Sequence, residues 1–543
     1  MKAAHSSVLR DFTIDRRVWL LSAAALAIGA GAAALAVVLL ASIHVATNIF
    51  YYHRFSLAAV RPSDSPLGPW MPLVPVLGGL LVGIMARYGS DKIRGHGIPE
   101  AIEAILLRGA RINPGIALLK PLSAAISIGS GGPFGAEGPI IMTGGAFGSL
   151  VAQWMKLSDA ERTTLLVAGA AAGMSATFAA PLAAVLLAVE LLLFEWRPRS
   201  LVPVTIASAT AAVLRVYWLG AGPLFPMSLP ATPAPWFLAP AALGFGMLSG
   251  LAAAGLSRLM YGFEDLFGCL RVHWMWWPAL GGIGVGAGGL FFPRGLGVGY
   301  DNIAQLLAGR GTLALVLGLL LAKTLMWAFS LGSGTSGGVL APLLMIGGAL
   351  GTLFAMLAHG GPQTQALWAL LGMSAMLSGS LGVPLTAIVF SLELTHALPA
   401  LLPLLLASVA AHLVTSLVLP RSILTEKLSR RGFHLTREYG VDPLETVSVA
   451  EVMDALEPAP LQANVPGHAA ALTGMPEVFA YSDETCREVA ERMATSGLFT
   501  LPVLDRATHA AQGTIGVKAL LIGRRRAFHR EQNRFRAFRD DRA

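Results

Sequence analysis

A chain of 543 residues with 55% hydrophobic and only 13% charged residues, at a mean hydropathy of +0.64, is not a soluble enzyme. Its net charge of +8 lies mostly near the C-terminus, where the positive-inside bias accounts for it without a nucleic-acid partner. Two cysteines, Cys269 and Cys486, fall in different regions and suggest no disulfide framework.

Residues 1–17 read as a polar cytoplasmic segment. The apolar run that follows Arg16-Arg17 is too long for a signal-peptide core, so no cleavable leader is expected. It predicts a helix over 18–48, long enough to cross a bilayer at a steep tilt. After a Pro-rich loop (Arg61 to Pro72), a second helix reaches about Met85. A short helix from Pro99 to about Gly109 follows Gly95-His96-Gly97-Ile98. Lys120 opens a helix that breaks near Gly129, and a new one runs from Glu137 through Met155. Further helices fall at about 163–178, 181–195, 201–217 and 236–262. Then come 274–290, 302–309, 313–331, 341–358, 366–380, 384–397 and 399–419. Apolar segments without strand alternation argue for helices rather than a barrel. Residues 421–445 are charged and mixed. Beyond them a soluble tail predicts an amphipathic helix over Glu484–Ser496 and strands at Leu501–Leu504 and Thr514–Val517.

The chain contains the same unit twice. Lys120–Gly148 and Lys323–Gly351 align without a gap (323 − 120 = 203), with 14 of 29 positions identical. Gly173-Met174-Ser175-Ala176 returns as Gly372-Met373-Ser374-Ala375. Pro181-Leu182 returns as Pro384-Leu385, each followed nine residues on by a glutamate, Glu190 and Glu393. Gly95-His96-Gly97 is echoed by Gly297-Val298-Gly299. The expected organisation is 1–17, a first membrane repeat over 18–220, a second over 221–435, and a cytoplasmic tail over 436–543. Short, Gly/Pro-interrupted apolar segments at matching places point to broken helices that meet inside the membrane.

Lipid cannot satisfy a free N–H, so such breaks belong inside protein or beside a cavity. A Gly-rich break before a helix start leaves amides unpaired and adds the helix's partial positive charge. Each such end offers an anion roughly 0.3–1 kcal/mol, up to about 2 when partly buried. Three candidate ends occur: before Pro99, at Glu137 and at Leu340–Pro342. The alternative is that these glycines only pack helices. Glu137 is the one formally charged residue between Lys120 and Lys156. A carboxylate in a membrane segment costs about 2.5–3.5 kcal/mol and normally marks function. It is a tethered anion able to fill the anion position until protonation or a permeating anion displaces it. The alternative is a capping residue for its own helix. No nucleophile with a base and no metal-ligand cluster can be read here, so no enzyme, cofactor or metal is expected.

At these residues the chain resembles the CLC family of chloride channels and proton-coupled chloride antiporters. Gly95-His96-Gly97-Ile98-Pro99 is similar to the family's GSGIP motif. Gly135-Ala136-Glu137-Gly138-Pro139 is similar to G(K/R)EGP, whose Glu is the gate, and Gly338-Val339-Leu340-Ala341-Pro342 to GxFxP. The resemblance implies an all-α polytopic membrane protein built as an inverted repeat, assembled as a homodimer with one pore per subunit. It implies a plasma (inner) membrane location with both termini cytoplasmic. His96 replaces the family's central serine, and either donates to the anion or packs as a buried polar residue. Leu424 replaces its tyrosine. Leu191 stands where antiporters carry an inner glutamate, with Glu190 beside it as the only substitute for a proton path. A structural role for Glu190 and Glu393 is the preferred reading.

The expected function is therefore a gated chloride channel. A proton-coupled antiporter of chloride or another small anion is the alternative, and a non-transporting membrane scaffold is an alternative of another class. The tail, residues 446–530, resembles a degenerate CBS pair. Its ribose-contacting stretch maps to Gly516–Ala519 without the polar residues, so nucleotide binding is not expected.

Overall fold

The computed structural model describes residues 16–155, 157–227, 229, 238–432, 444, 447–455, 478–506, 508 and 510–536, with 527–536 described by backbone alone. Most of the 1–17 segment and residues 456–477 of the tail lie outside the described residues. The chain divides into two compact units, Met1–Leu435 and Thr436–Ala543.

In the first unit the helices fall as two parallel series. The first is α1 (Arg17–Tyr52), α2 (Leu73–Tyr88), α3 (Ile98–Leu107), α4 (Pro114–Gly129), α5 (Glu137–Trp154), α6 (Asp159–Phe178), α7 (Pro181–Leu187) and α8 (Pro198–Leu219). The second begins with α9 (Leu238–Cys269), α10 (Trp277–Phe291), α11 (Tyr300–Leu307) and α12 (Leu313–Leu317). A π-helical stretch, Gly318–Lys323, joins α12 to α13 (Thr324–Gly332). Then follow α14 (Leu340–Leu357), α15 (Pro362–Leu381), α16 (Pro384–Thr395), α17 (Leu401–Val418) and α18 (Ile423–Arg430). At 36 residues and about 1.5 Å per residue, α1 outruns a hydrocarbon core of about 30 Å and must tilt.

Sequence accounts for most of these limits. Pro181 and Pro384 stand at the first turns of α7 and α16, where a missing N–H costs nothing. Asn113 caps α4 through Gly115 N. Ser422 caps α18 in a box with Thr425. The last of these helices lies in the segment expected to be merely charged and mixed. It is short and amphipathic, so composition alone hides it.

The expectation that some glycines serve packing is met away from the breaks. Gly144 of α5 and Gly169 of α6 lie so close that a Cβ on either would strike the other's carbonyl. Gly347 of α14 and Gly372 of α15 repeat the arrangement. Only glycine permits backbones to cross at that separation.

The second unit holds β1 (Asp454–Ala455), β2 (Ala480–Tyr481), β3 (Thr500–Leu504) and β4 (Ala511–Gly516) in the order β1-β4-β3-β2. β2 pairs parallel to β3, and β3–β4 and β4–β1 are antiparallel. Helix α19 (Cys486–Ser496) starts on a Thr485–Glu488 capping box and ends at Gly497. Helix α20 (Val517–Arg536) follows β4 directly. Val449, Ala480, Cys486, Val489, Leu501, Val503 and Ile515 form its core. Burial pushes the Cys486 thiol up to about 11, with Glu451 adding to the effect.

Candidate anion site

The two Gly-rich breaks meet. Gly135 N donates to Gly338 O at 3.3 Å, and Gly338 N donates to Gly135 O at 2.8 Å. This two-residue antiparallel bridge joins equivalent points of the two repeats (338 − 135 = 203). The turn before α3 docks on the same bridge. Gly95 N donates to Gly334 O and Gly337 N to Gly95 O, both at 3.4 Å. Gly95 and Gly97 have φ of +78° and +88°, which a side chain would strain. A Cβ on Gly138 would run into the His96 carbonyl. The starts of α3, α5 and α14 are thereby brought to one place, and Pro99, Pro139 and Pro342 are buried there.

Two buried lysines hold this geometry, and their role was not foreseen. Lys120 Nζ donates to Ile93 O at 2.8 Å and Gly95 O at 2.7 Å. Lys323 Nζ donates to Gly295 O at 2.8 Å and Gly297 O at 2.7 Å. Each ammonium pins the glycine turn that precedes a short helix, α3 in one repeat and α11 in the other. The signal in the sequence was a lysine at the head of both copies of the repeat.

Of the amides expected to face an anion, several are spent. Those of Gly95, Gly135 and Gly338 serve the bridge, and Gly97 N donates to Glu100 Oε2 at 3.1 Å. The amides of Ile98, Val339 and Leu340 donate to no group among the described residues. Ala341 N donates to Glu137 Oε1 at 3.1 Å. Glu137 is fully buried. It thus lies across the interface between the repeats, bound to the amide of the opposite one. Its Oε2 has no hydrogen-bond partner. Ala136 and Leu340 beside it are buried and apolar.

His96 is buried, and neither ring nitrogen has a partner. It lines a cavity of about 310 Å³ with Arg94, Tyr261, Lys427, Arg430 and Arg431. Most of these cations are already paired: Lys427 with Glu100 at 2.9 Å, Arg430 with Asp265, Arg431 with Glu103. Arg94 has no carboxylate partner among the described residues. It stacks over Trp274 and Trp277, 4.8 and 5.5 Å from the ring centroids. Leu424 is fully buried on α18, which packs on α3 and α15. The nearby Tyr261 hydroxyl does not replace the missing phenol, because it donates to Ile423 O at 2.5 Å. A second cavity, about 350 Å³, lies at the equivalent turn of the other repeat and is lined by Gly297, Val298, Gly299, Tyr300 and Asp301.

Glu190 stands outside this cluster. Its carboxylate accepts from Leu385 N at 3.2 Å, Thr386 N at 2.8 Å and Thr386 Oγ1 at 2.6 Å. Glu393 returns the contact, accepting from Leu182 N at 2.9 Å and Ala183 N at 2.8 Å. Each repeat's glutamate caps the other repeat's proline-started helix. Leu191 is fully buried.

Residues 78–416 match the family model of voltage gated chloride channels. The chain belongs to the CLC family. It is 30% identical over 372 residues to a ClcB-like chloride channel protein of Ralstonia nicotianae, covering 67% of this chain and 86% of the relative. It is 31% identical over 397 residues to the H(+)/Cl(-) exchange transporter ClcA of Citrobacter koseri, covering 69% and 81%. Among solved structures, a slow cyanobacterial Cl-/H+ antiporter superposes with a TM-score of 0.66 at 24% identity, over 77% of this chain and 99% of that one. The chain is thus a multi-pass membrane protein of an anion-transporting family with the CLC inverted repeat.

Proposed function

We propose that this protein is a proton-coupled antiporter of chloride or a related small anion, with Glu137 as the group that anion and proton each displace. The observation that carries the reading is the Glu137 carboxylate, fully buried and held by the Ala341 amide. It fills the position where backbone amides of both repeats would receive an anion. A path closed this way conducts only when the carboxylate leaves. An anion can take the amide from it, or a proton can remove its charge, and use of one site by both couples the two. The exchange transporter among its relatives supports this reading, and the gated channel expected from sequence has the weaker support. One observation favours a channel: Leu191 is apolar and Glu190 is engaged by the α16 amides, so neither offers a free inner proton carrier.

The test is a reconstituted liposome with an imposed chloride gradient and a pH readout. Uphill proton movement is expected. Chloride flux without proton movement would establish the channel, and absence of any anion flux would establish the scaffold reading. The same proposal places the protein in the plasma (inner) membrane as a homodimer, both termini cytoplasmic, with the cavity beside α18 facing inward. It assigns the tail a CBS-like docking role. β4 passes into α20 at Gly516–Val517 with no acidic residue in the first turn, which supports a tail that binds no nucleotide. Calorimetry of the full chain with ATP or AMP checks this, and micromolar binding would overturn it.

A further inference from the structure

The scaffold is duplicated, but its polar groups are not. Glu137 corresponds to Leu340 in the other repeat (340 − 137 = 203), and Tyr300 corresponds to Ile98 (300 − 98 = 202). At these equivalent positions only one repeat carries a carboxylate and a hydroxyl. The repeat does not require either of them.

Tyr300 is the first residue of α11, immediately after Gly299 at φ +77°. Its ring is held edge-on by Phe178 and Phe225, with centroids at 6.4 and 6.0 Å. It lines the cavity at the turn that corresponds to the one carrying His96. Its hydroxyl is buried without a hydrogen-bond partner, as is Glu137 Oε2. The hydroxyl faces the Glu137 carboxylate closely enough to act on it, yet neither atom completes a hydrogen bond of good geometry. Two buried polar atoms that face each other with the bond between them incomplete are costly to maintain. They are accounted for if they bond to each other in another position of the carboxylate.

We propose that Tyr300 is a positioning residue for the gate: when an anion takes the Ala341 amide, the displaced Glu137 carboxylate moves toward the Tyr300 cavity and accepts a hydrogen bond from the phenol. This inference rests on the antiporter reading of Glu137 and adds the group that receives it. The other charges facing this pair are few. Lys323, from the stretch between α12 and α13, acts on Glu137, and Asp301 of α11 acts on Lys323. Lys323 is anchored by two of its three N–H groups on Gly295 O and Gly297 O, which holds its ammonium at that turn. The phenol is the unpartnered side-chain hydroxyl that faces the carboxylate.

A phenol stabilises a charged carboxylate far more than a neutral carboxyl group. Its removal therefore penalises opening while Glu137 is ionised more than opening after protonation. Tyr300→Phe retains the ring and its contacts with Phe178 and Phe225. The experiment is chloride efflux from proteoliposomes at pH 4.5 and 7.5, with wild type, Tyr300→Phe, Glu137→Gln and the double variant. Tyr300→Phe is expected to raise the ratio of flux at pH 4.5 to flux at pH 7.5 roughly tenfold, the effect of one lost charge-assisted hydrogen bond. In the Glu137→Gln background the same substitution is expected to leave that ratio where Glu137→Gln alone puts it. A Tyr300→Phe ratio equal to that of wild type would overturn the inference. So would a ratio change that persists without the carboxylate. Wild-type protein with no flux at either pH would instead overturn the proposed function.

Discussion

Glu190 and Glu393 distinguish a structural from a proton-carrying reading of these half-buried carboxylates, and the structure sizes the difference. Glu190→Ala removes the acceptor for three donors, Leu385 N, Thr386 N and Thr386 Oγ1. Glu393→Ala removes it for two, Leu182 N and Ala183 N. A hydrogen bond to a charged acceptor contributes about 1.5–3 kcal/mol, but loss of a helix cap costs only about 0.5–2 kcal/mol as a whole. The bond from Leu385 is long, and the capped leucines Leu182 and Leu385 are exposed at the surface of the unit. We therefore expect a loss near the upper end of that range for Glu190→Ala, about 2 kcal/mol, and about 1 kcal/mol for Glu393→Ala. Thermal unfolding in detergent should order wild type above Glu393→Ala and Glu393→Ala above Glu190→Ala. Glu190→Gln, which keeps one acceptor oxygen, should fall between wild type and Glu190→Ala. Proton-coupled flux per folded protein should be retained in Glu190→Gln. The opposite pattern, full thermal stability with proton coupling abolished, would refute the capping role.

Other expectations concern the breaks, the lysines and the tail. A Cβ on Gly135 would meet only the end of the Glu137 side chain, whereas one on Gly138 would meet the His96 backbone. Gly135→Ala should therefore dislodge the gate and raise chloride flux at pH 7.5 severalfold, while Gly138→Ala should lose both flux and thermal stability. Lys120→Met removes the one ammonium that bonds both Ile93 O and Gly95 O. Even with the relief of burying no ammonium, it should destabilise by about 2 kcal/mol or more, read by thermal unfolding, with Lys323→Met giving a similar loss. The raised Cys486 thiol is protonated at neutral pH and buried, whereas Cys269 is exposed. Mass spectrometry after maleimide treatment at pH 7 should show one label on native protein and two after denaturation.

Much of this was readable in the residues. The gapless return of Lys120–Gly148 as Lys323–Gly351 announced the repeat. The helix starts at Glu137 and Leu340 followed from glycine and proline placement, and the observed starts match them within a residue. Pairings across the repeats were not readable. Glu190 and Glu393 each showed a fixed spacing from a proline, yet nothing along the chain says that each caps the other's partner helix. Gly135 and Gly338 looked like anion ligands because a free amide and an amide bonded across a pseudo-twofold bridge have the same sequence. Tyr300 carries no signal along the chain, because the Gly-x-Gly echo ends at Gly299 and the equivalent residue of the other repeat is Ile98. Helix α18 was missed because eight amphipathic residues carry too little periodicity to stand out in a charged segment.

The central claim is that the Glu137 carboxylate and the transported anion compete for the same amides. Chloride binding to wild type and Glu137→Gln, measured by isothermal calorimetry between pH 4.5 and 8, tests it most directly. Wild type should bind chloride more tightly as pH falls and the carboxylate is neutralised. Glu137→Gln should bind at least tenfold more tightly than wild type at pH 7.5 (a factor of ten is about 1.4 kcal/mol) and show no such pH dependence. Equal affinities with the same pH profile in both proteins would contradict the account.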